Sequence, residues 1–159
     1  MSPVVESSHP PAVVLRLVNP IMRALLRSPL GGPLRKQFMV LRFNGRRTRR
    51  SYEVPVSAHR SGEQLYVLTA APWRLNFRGG TTVEVTLDGT TTVMHGELEE
   101  DPRATAETYA GRIAELGVKR AQRDIGLKIH VPRTPTVEEL AEPVRQEHLS
   151  VIHLTAERS

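Results

Sequence analysis

The stretch from Thr81 to Leu98, TTVEVTLDGTTTVMHGEL, alternates apolar and polar residues around one Asp-Gly pair. Val83, Val85 and Leu87 fall on one face of a strand and Glu84, Thr86 and Asp88 on the other, and Asp88-Gly89 is a strong hairpin-turn signal leading into Thr90 to Leu98. An antiparallel hairpin here sets the fold class, and the rest of the chain agrees with it. Phe38 to Phe43 is a mostly apolar run ending at Asn44-Gly45, and Ser51 to His59 alternates. Ser61-Gly62 is a turn, and Gln64 to Thr69 and Leu149 to Thr155 read as further strands. Asp101-Pro102 predicts the start of a helix that buries Tyr109, Ile113 and Leu116 and stops at Gly117. Thr136 with Glu139 is a capping box for a second helix to about residue 147, which Pro143 is expected to kink or shorten. Residues 118 to 130 stay ambiguous between short helix and irregular chain. Many short strands, helices grouped at the ends and no βαβ alternation predict a mainly β, α+β fold, with an antiparallel sheet closed into a small barrel.

The 159 residues suffice for one domain. Residues 1 to 12, with three prolines and no periodicity, are expected to form a disordered tail. Residues 13 to 30 read as a basic amphipathic helical segment, with Arg16, Arg23 and Arg27 opposite Val14, Val18, Ile21 and Leu25. Residues 31 to 159 form the barrel domain. Charge is uneven: residues 1 to 50 hold ten Arg or Lys against Glu6, a balance of +9, while the remainder is acidic. The basic end is expected to face something anionic, whether a membrane surface, nucleic acid or a phosphorylated ligand. No apolar run approaches a membrane span, so a cytoplasmic protein, with membrane association left open, is the expectation.

Several function classes drop out. Cysteine is absent, which removes thiolate metal sites and cysteine nucleophiles. The six histidines show no metal-ligand spacing, so no metal is expected. No nucleophile elbow, Walker sequence or Gly-x-Gly-x-x-Gly occurs. With 4% aromatic residues there are few rings for stacking bases, and nucleic acid is not an expected partner.

Two stretches remain. Asn44 to Arg50 joins two strands and concentrates Arg46, Arg47, Thr48, Arg49 and Arg50, whose guanidinium forks, hydroxyl and backbone N–H groups suit a phosphate. In APWRLNFRGG, residues 71 to 80, Trp73, Asn76 and Phe77 are spaced as one face of a helical turn. Taken singly, the first is a solvated basic turn and the second a core tryptophan.

Together, and in this order, they resemble a known family. Gly45-Arg46-Arg47-Thr48 closed by Val54-Pro55-Val56, followed by Pro72-Trp73-x-x-Asn76-Phe77 and Arg78-Gly79-Gly80, is similar to the signature of the deazaflavin-dependent nitroreductase group of the flavin and deazaflavin oxidoreductases. The resemblance covers residues 19 to 157. It implies a split antiparallel β-barrel, of the FMN-binding, pyridoxamine phosphate oxidase-like type, with coenzyme F420 as cofactor and FMN as runner-up. It also implies hydride transfer from the reduced deazaflavin to a quinone, nitro compound or other small electrophile. Carried over, Arg46, Arg47, Thr48 and Arg50 would meet the phosphate and acidic tail, Pro55 and Val56 would lie beside the ring, and Trp73 and Asn76 would complete the groove. Two positions depart from the pattern: Arg49 stands where the family usually has glycine, and Tyr52 where it usually has arginine. A positive φ at residue 49 would carry a steric cost for arginine.

A second reading stays open, in which the same barrel holds a fatty acyl chain, another lipophilic ligand or a porphyrin without catalysis. No motif assigns a catalytic residue, although Ser57, Tyr66 and Tyr109 could donate a proton. A homodimer that covers an edge strand is a further expectation.

Overall fold

The computed structural model describes residues 4–7, 34–47 and 49–157. In chain order the strands are β1 (Val5–Ser7), β2 (Phe38–Asn44), β3 (Ser51–Ser57), β4 (His59–Ser61), β5 (Gln64–Thr69), β6 (Thr81–Leu87), β7 (Thr90–Leu98), β8 (Leu127–Ile129) and β9 (Ser150–Ala156). Among them lie α1 (Leu34–Gln37), a 3₁₀ helix (Pro72–Phe77), α2 (Pro102–Leu116), α3 (Val118–Ala121), a π-helical turn (Gln122–Gly126) and α4 (Val137–Gln146). The β6–β7 hairpin is the expected one, with Leu87 opposite Thr90 and Asp88 and Gly89 both at positive φ.

Seven strands form one antiparallel sheet in the order β3-β2-β6-β7-β9-β5-β4. Its two edges, β3 and β4, are consecutive in the chain and separated only by Ala58. In a flat sheet, six strand spacings would hold these edges roughly 29 Å apart. One residue spans about 3.5 Å. The sheet must therefore curl until its edges meet, and Ala58 carries the chain from one to the other. Its backbone N–H is held by the carbonyl of Gln37 at 2.8 Å. Because β3 pairs only with β2, and β4 only with β5, the closure is a half-barrel left open along β3, the arrangement expected of a split barrel. Pro55 lies on that edge strand, where a missing N–H costs least and discourages pairing with another chain.

Two apolar cores result. Met39, Leu41, Phe43, Val67, Phe77, Val83, Val85, Ile152 and Leu154 fill the barrel. Outside it, Leu68 and Val151 pack with Tyr109 and Ile113 of α2, Leu140 and Val144 of α4, and Val5 of β1. Strands β5 and β9 are thus covered on both faces, which explains their continuous apolar runs. Gly96 is a close-approach position: a Cβ there would sit 2.7 Å from the ring of buried Phe77.

The helices start as expected. Asp101 accepts from the Arg103 N–H at 3.1 Å, and Thr136 and Glu139 form the reciprocal capping box. Pro143 is buried and does not shorten α4, which runs through it to Gln146. Residues 118 to 130, ambiguous in sequence, divide into α3, the π-helical turn and β8. The expectation of a tail over residues 1 to 12 is corrected at its described residues: β1 pairs antiparallel with β8, and Val5 is fully buried. Burying a valine stabilises by about 1.5–3 kcal/mol, which offsets part of the cost of ordering a three-residue strand. The basic helical segment expected over 13 to 30 lies outside the described residues.

Candidate functional site

Hairpin β2–β3 ends in the turn of residues 45 to 50, closed by Gly45 N–H donating to the Arg50 carbonyl (2.8 Å) and Arg49 N–H to the Gly45 carbonyl (3.1 Å). Arg49 has φ 56°, the left-handed conformation that glycine adopts freely. Arginine therefore occupies a backbone position that suits glycine better.

This turn is tied to the 3₁₀ helix across the barrel mouth. The backbone N–H of Arg46 donates to Asn76 Oδ1 at 2.8 Å, and Asn76 Nδ2 donates to the Trp73 carbonyl at 2.8 Å. Arg46 Nη1 reaches the Leu75 carbonyl at 3.3 Å. Asn76 is therefore a clasp that sets the distance between turn and helix, with both ends of its carboxamide in use. Beneath it, Phe43 stacks on Tyr52 (centroids 5.4 Å apart), lies 5.7 Å from Trp73 and meets Phe77 edge-on at 4.8 Å. These rings form a stiff floor.

Between turn and helix runs a groove of ≈690 Å³. Among the described residues, three that bear guanidinium groups, Arg46, Arg47 and Arg78, line it without any carboxylate, beside the less polar surfaces of Tyr52, Pro72 and Leu75. Arg47 is exposed and has no hydrogen-bond or ion-pair partner among the described residues. Arg78 faces Glu100 at 3.7 Å, both well exposed, a pairing worth little in water. Neighbouring Arg74 donates to the Ala71 carbonyl at 3.2 Å, and its pKa is lowered by burial and then by the charge of Arg78. A site with these components can hold an anion through bidentate hydrogen bonds and a flat apolar group against its wall.

Of the residues singled out in the sequence, Arg46, Arg47 and Asn76 meet at this groove. Arg50 accepts from Gly45 through its backbone within the turn and does not line the groove. Thr48 lies outside the described residues. Trp73 belongs to the aromatic floor and does not line the groove itself. The groove wall on β3 is Tyr52; Pro55 and Val56 stand farther along the strand, Val56 packed against the barrel core, and neither lines the groove. Tyr109 is fully buried, donates to the Ser150 carbonyl at 3.0 Å and has its pKa raised by burial. Tyr66 stacks on His59. Neither tyrosine, nor Ser57, lines the groove.

The groove residues missed in the sequence carry a readable signal. Pro72 and Leu75 are three residues apart, which in a 3₁₀ helix places their side chains on one face, and Arg78 is the residue that caps the helix C-terminus. Reading the segment as a helical turn put weight on Trp73, Asn76 and Phe77 instead.

Among the described residues no group of three His, Asp or Glu could hold a metal ion, and no helix is long and apolar enough to cross a membrane. The basic segment that motivated a lipid-like ligand lies outside the described residues. No family model matches the chain, and no curated protein matches it. Among solved structures it is similar to one described as a domain-swapped dimer, with 12% identity, 91% of this chain and 99% of that chain covered, and a TM-score of 0.43.

Proposed function

We propose that the chain is an oxidoreductase of the deazaflavin type, and that the groove between residues 45–47 and 72–78 holds coenzyme F420. The observation that supports this reading is the groove's composition: three guanidinium groups with no carboxylate among them, next to an aromatic and aliphatic wall. A ligand that joins a phosphate and an acidic tail to a flat ring needs both parts. When bound, reduced F420 supplies a hydride to a quinone, nitro compound or similar acceptor.

The chain's own residues bind and orient. Arg47 offers a fork with no partner among the described residues, while Arg46 is fixed by its backbone bond to Asn76 and spends one donor on the Leu75 carbonyl. Arg78 exchanges a weak, solvated pairing with Glu100 for a ligand oxyanion. Tyr52, stacked on Phe43, gives the ring a preorganised surface.

Fluorescence titration with F420 tests the reading directly. The wild-type chain is expected to quench F420 saturably, and Arg47→Gln to weaken binding by about 10-fold, the usual weight of one charge-assisted pair. FMN titrated in parallel separates the cofactors: saturable FMN binding without F420 binding replaces the deazaflavin by a flavin. Binding of neither overturns the reading.

A further inference from the structure

A second cavity, of ≈240 Å³, opens where β3 passes through Ala58 into β4. It lies at the far end of hairpin β2–β3: Phe38 pairs with Ser57 here, and Asn44 with Ser51 at the groove already described. Six residue steps of strand separate the two, roughly 20 Å. They share no lining residue.

At its back is His59, 2% exposed. Arg112 Nε donates to His59 Nδ1 at 3.0 Å, so Nδ1 carries a lone pair. Burial, followed by the charge of Arg112 and against that of Asp124, pushes the imidazole down to about 4. The ring is neutral near pH 7 and its single proton is on Nε2. Among the described residues that Nε2–H has no acceptor. A buried donor left unmatched is costly, and in folded proteins such groups are satisfied by water or a ligand.

The rest of the lining says which ligand. Lys36, Arg60, Arg112 and Arg120 surround the cavity with Asp124 as its only carboxylate among the described residues. Asp124 is already neutralised by Arg120 Nε and Arg123 Nε, each at 3.1 Å. Arg112 is paired with Glu115 through Nη1 at 2.9 Å. Lys36 and Arg60 are exposed and have no partner among the described residues. We propose that this cavity is a second ligand site that takes the phosphate group of a small soluble phosphomonoester, with His59 Nε2–H and Arg112 at its floor and Arg60 and Lys36 at its mouth. An oxyanion gives the orphaned N–H its acceptor and the cations their counter-charge, whereas a cation or an apolar ligand meets neither need.

The test is an NMR titration of protein labelled with ¹⁵N-histidine, following the His59 ring as inorganic phosphate, and separately glycerol 3-phosphate, replaces chloride at constant ionic strength. Phosphate or the monoester is expected to move the His59 signals saturably. Arg60→Gln and Lys36→Gln, both at exposed positions that leave the core intact, are each expected to weaken that binding by about 10-fold. Three results overturn the site: a shift that chloride reproduces, a His59 ring that phosphate and the monoester leave unmoved, or an affinity unchanged in both variants. None of these bears on F420 binding, which reads out at the other end of the hairpin.

Discussion

Arg46 and Asn76, 30 residues apart in the chain, are joined by a 2.8 Å hydrogen bond from the backbone N–H of the first to the carboxamide oxygen of the second. Because Asn76 also donates to the Trp73 carbonyl, one side chain couples the arginine turn to the 3₁₀ helix and fixes the groove's width. Asn76→Ala is expected to lower stability by about 1 kcal/mol and to loosen the turn. Asn76→Asp keeps the acceptor for Arg46 but loses the donor toward Trp73, and also brings a negative charge among the arginines. Urea unfolding gives the stability of both. If F420 binds, its affinity should fall more in Asn76→Asp than in Asn76→Ala.

Arg49→Gly should stabilise the protein. A left-handed φ costs an L-residue about 1–2 kcal/mol, and the greater freedom of glycine in the unfolded chain returns part of that. A net gain of up to about 1 kcal/mol is expected, with Arg49→Val destabilising instead because a β-branched side chain tolerates this conformation least. Thermal melts of the pair decide it; a loss of stability in Arg49→Gly would mean that the arginine side chain holds the turn.

Gly96→Ala probes the barrel core. The added methyl would meet Phe77 Cδ1 at 2.7 Å, with Val83 close behind. Overpacking of this kind costs roughly 1–3 kcal/mol. The aromatic floor under the groove shares Phe77, so the near-ultraviolet circular dichroism of Trp73 and Tyr52 is expected to change along with the denaturation midpoint.

Stability should depend on pH through His59. Its folded pKa, about 4, lies below the ordinary 6.5, so between these values the unfolded chain binds a proton that the folded chain refuses. Stability is therefore full above about pH 6.5 and falls as pH drops to about 4, by up to roughly 3 kcal/mol. Tyr66 stacks on the ring, Arg112 and Asp124 act on it in opposite directions, and Lys36, Arg60 and Arg120 line the same cavity. Urea midpoints across this window, compared with those of His59→Gln, measure the effect: the slope should flatten in the variant. Saturating phosphate, if it occupies the neighbouring cavity, should shift the His59 titration upward.

The barrel was legible where local signals decide structure. Asp88-Gly89, the Thr136–Glu139 box and the alternation of Tyr52, Val54 and Val56 each act within a few residues, and each falls where expected. Non-local features were less so. Val5 orders only because β8 lies beside it, and β8 itself is three residues in a stretch without periodicity. At the groove, Arg46, Arg47 and Asn76 were readable from composition and resemblance. Leu75 depended on the helix being 3₁₀, and Arg78 on where that helix ends, neither of which the six-residue segment announces. His59 and Arg112 were unreadable, because 53 residues separate them and a lone histidine on a strand has no motif.

The single-residue passage at Ala58 also dictates an order of events. Strand β3 can pair with β2 as soon as residues 38 to 57 are made, but β4 joins the ring through β5, and β5 is held by β9, whose partner residues run from Ser150 to Leu154. During synthesis the ring therefore stays open for about 90 residues after β4 has emerged, a wait of roughly 5–20 s at typical elongation rates. Through that interval β4 and β5 form a two-stranded flap hinged at Ala58, with Val67 uncovered. Chaperone capture or premature association is to be expected on that flap and not on the β6–β7 hairpin, which completes itself.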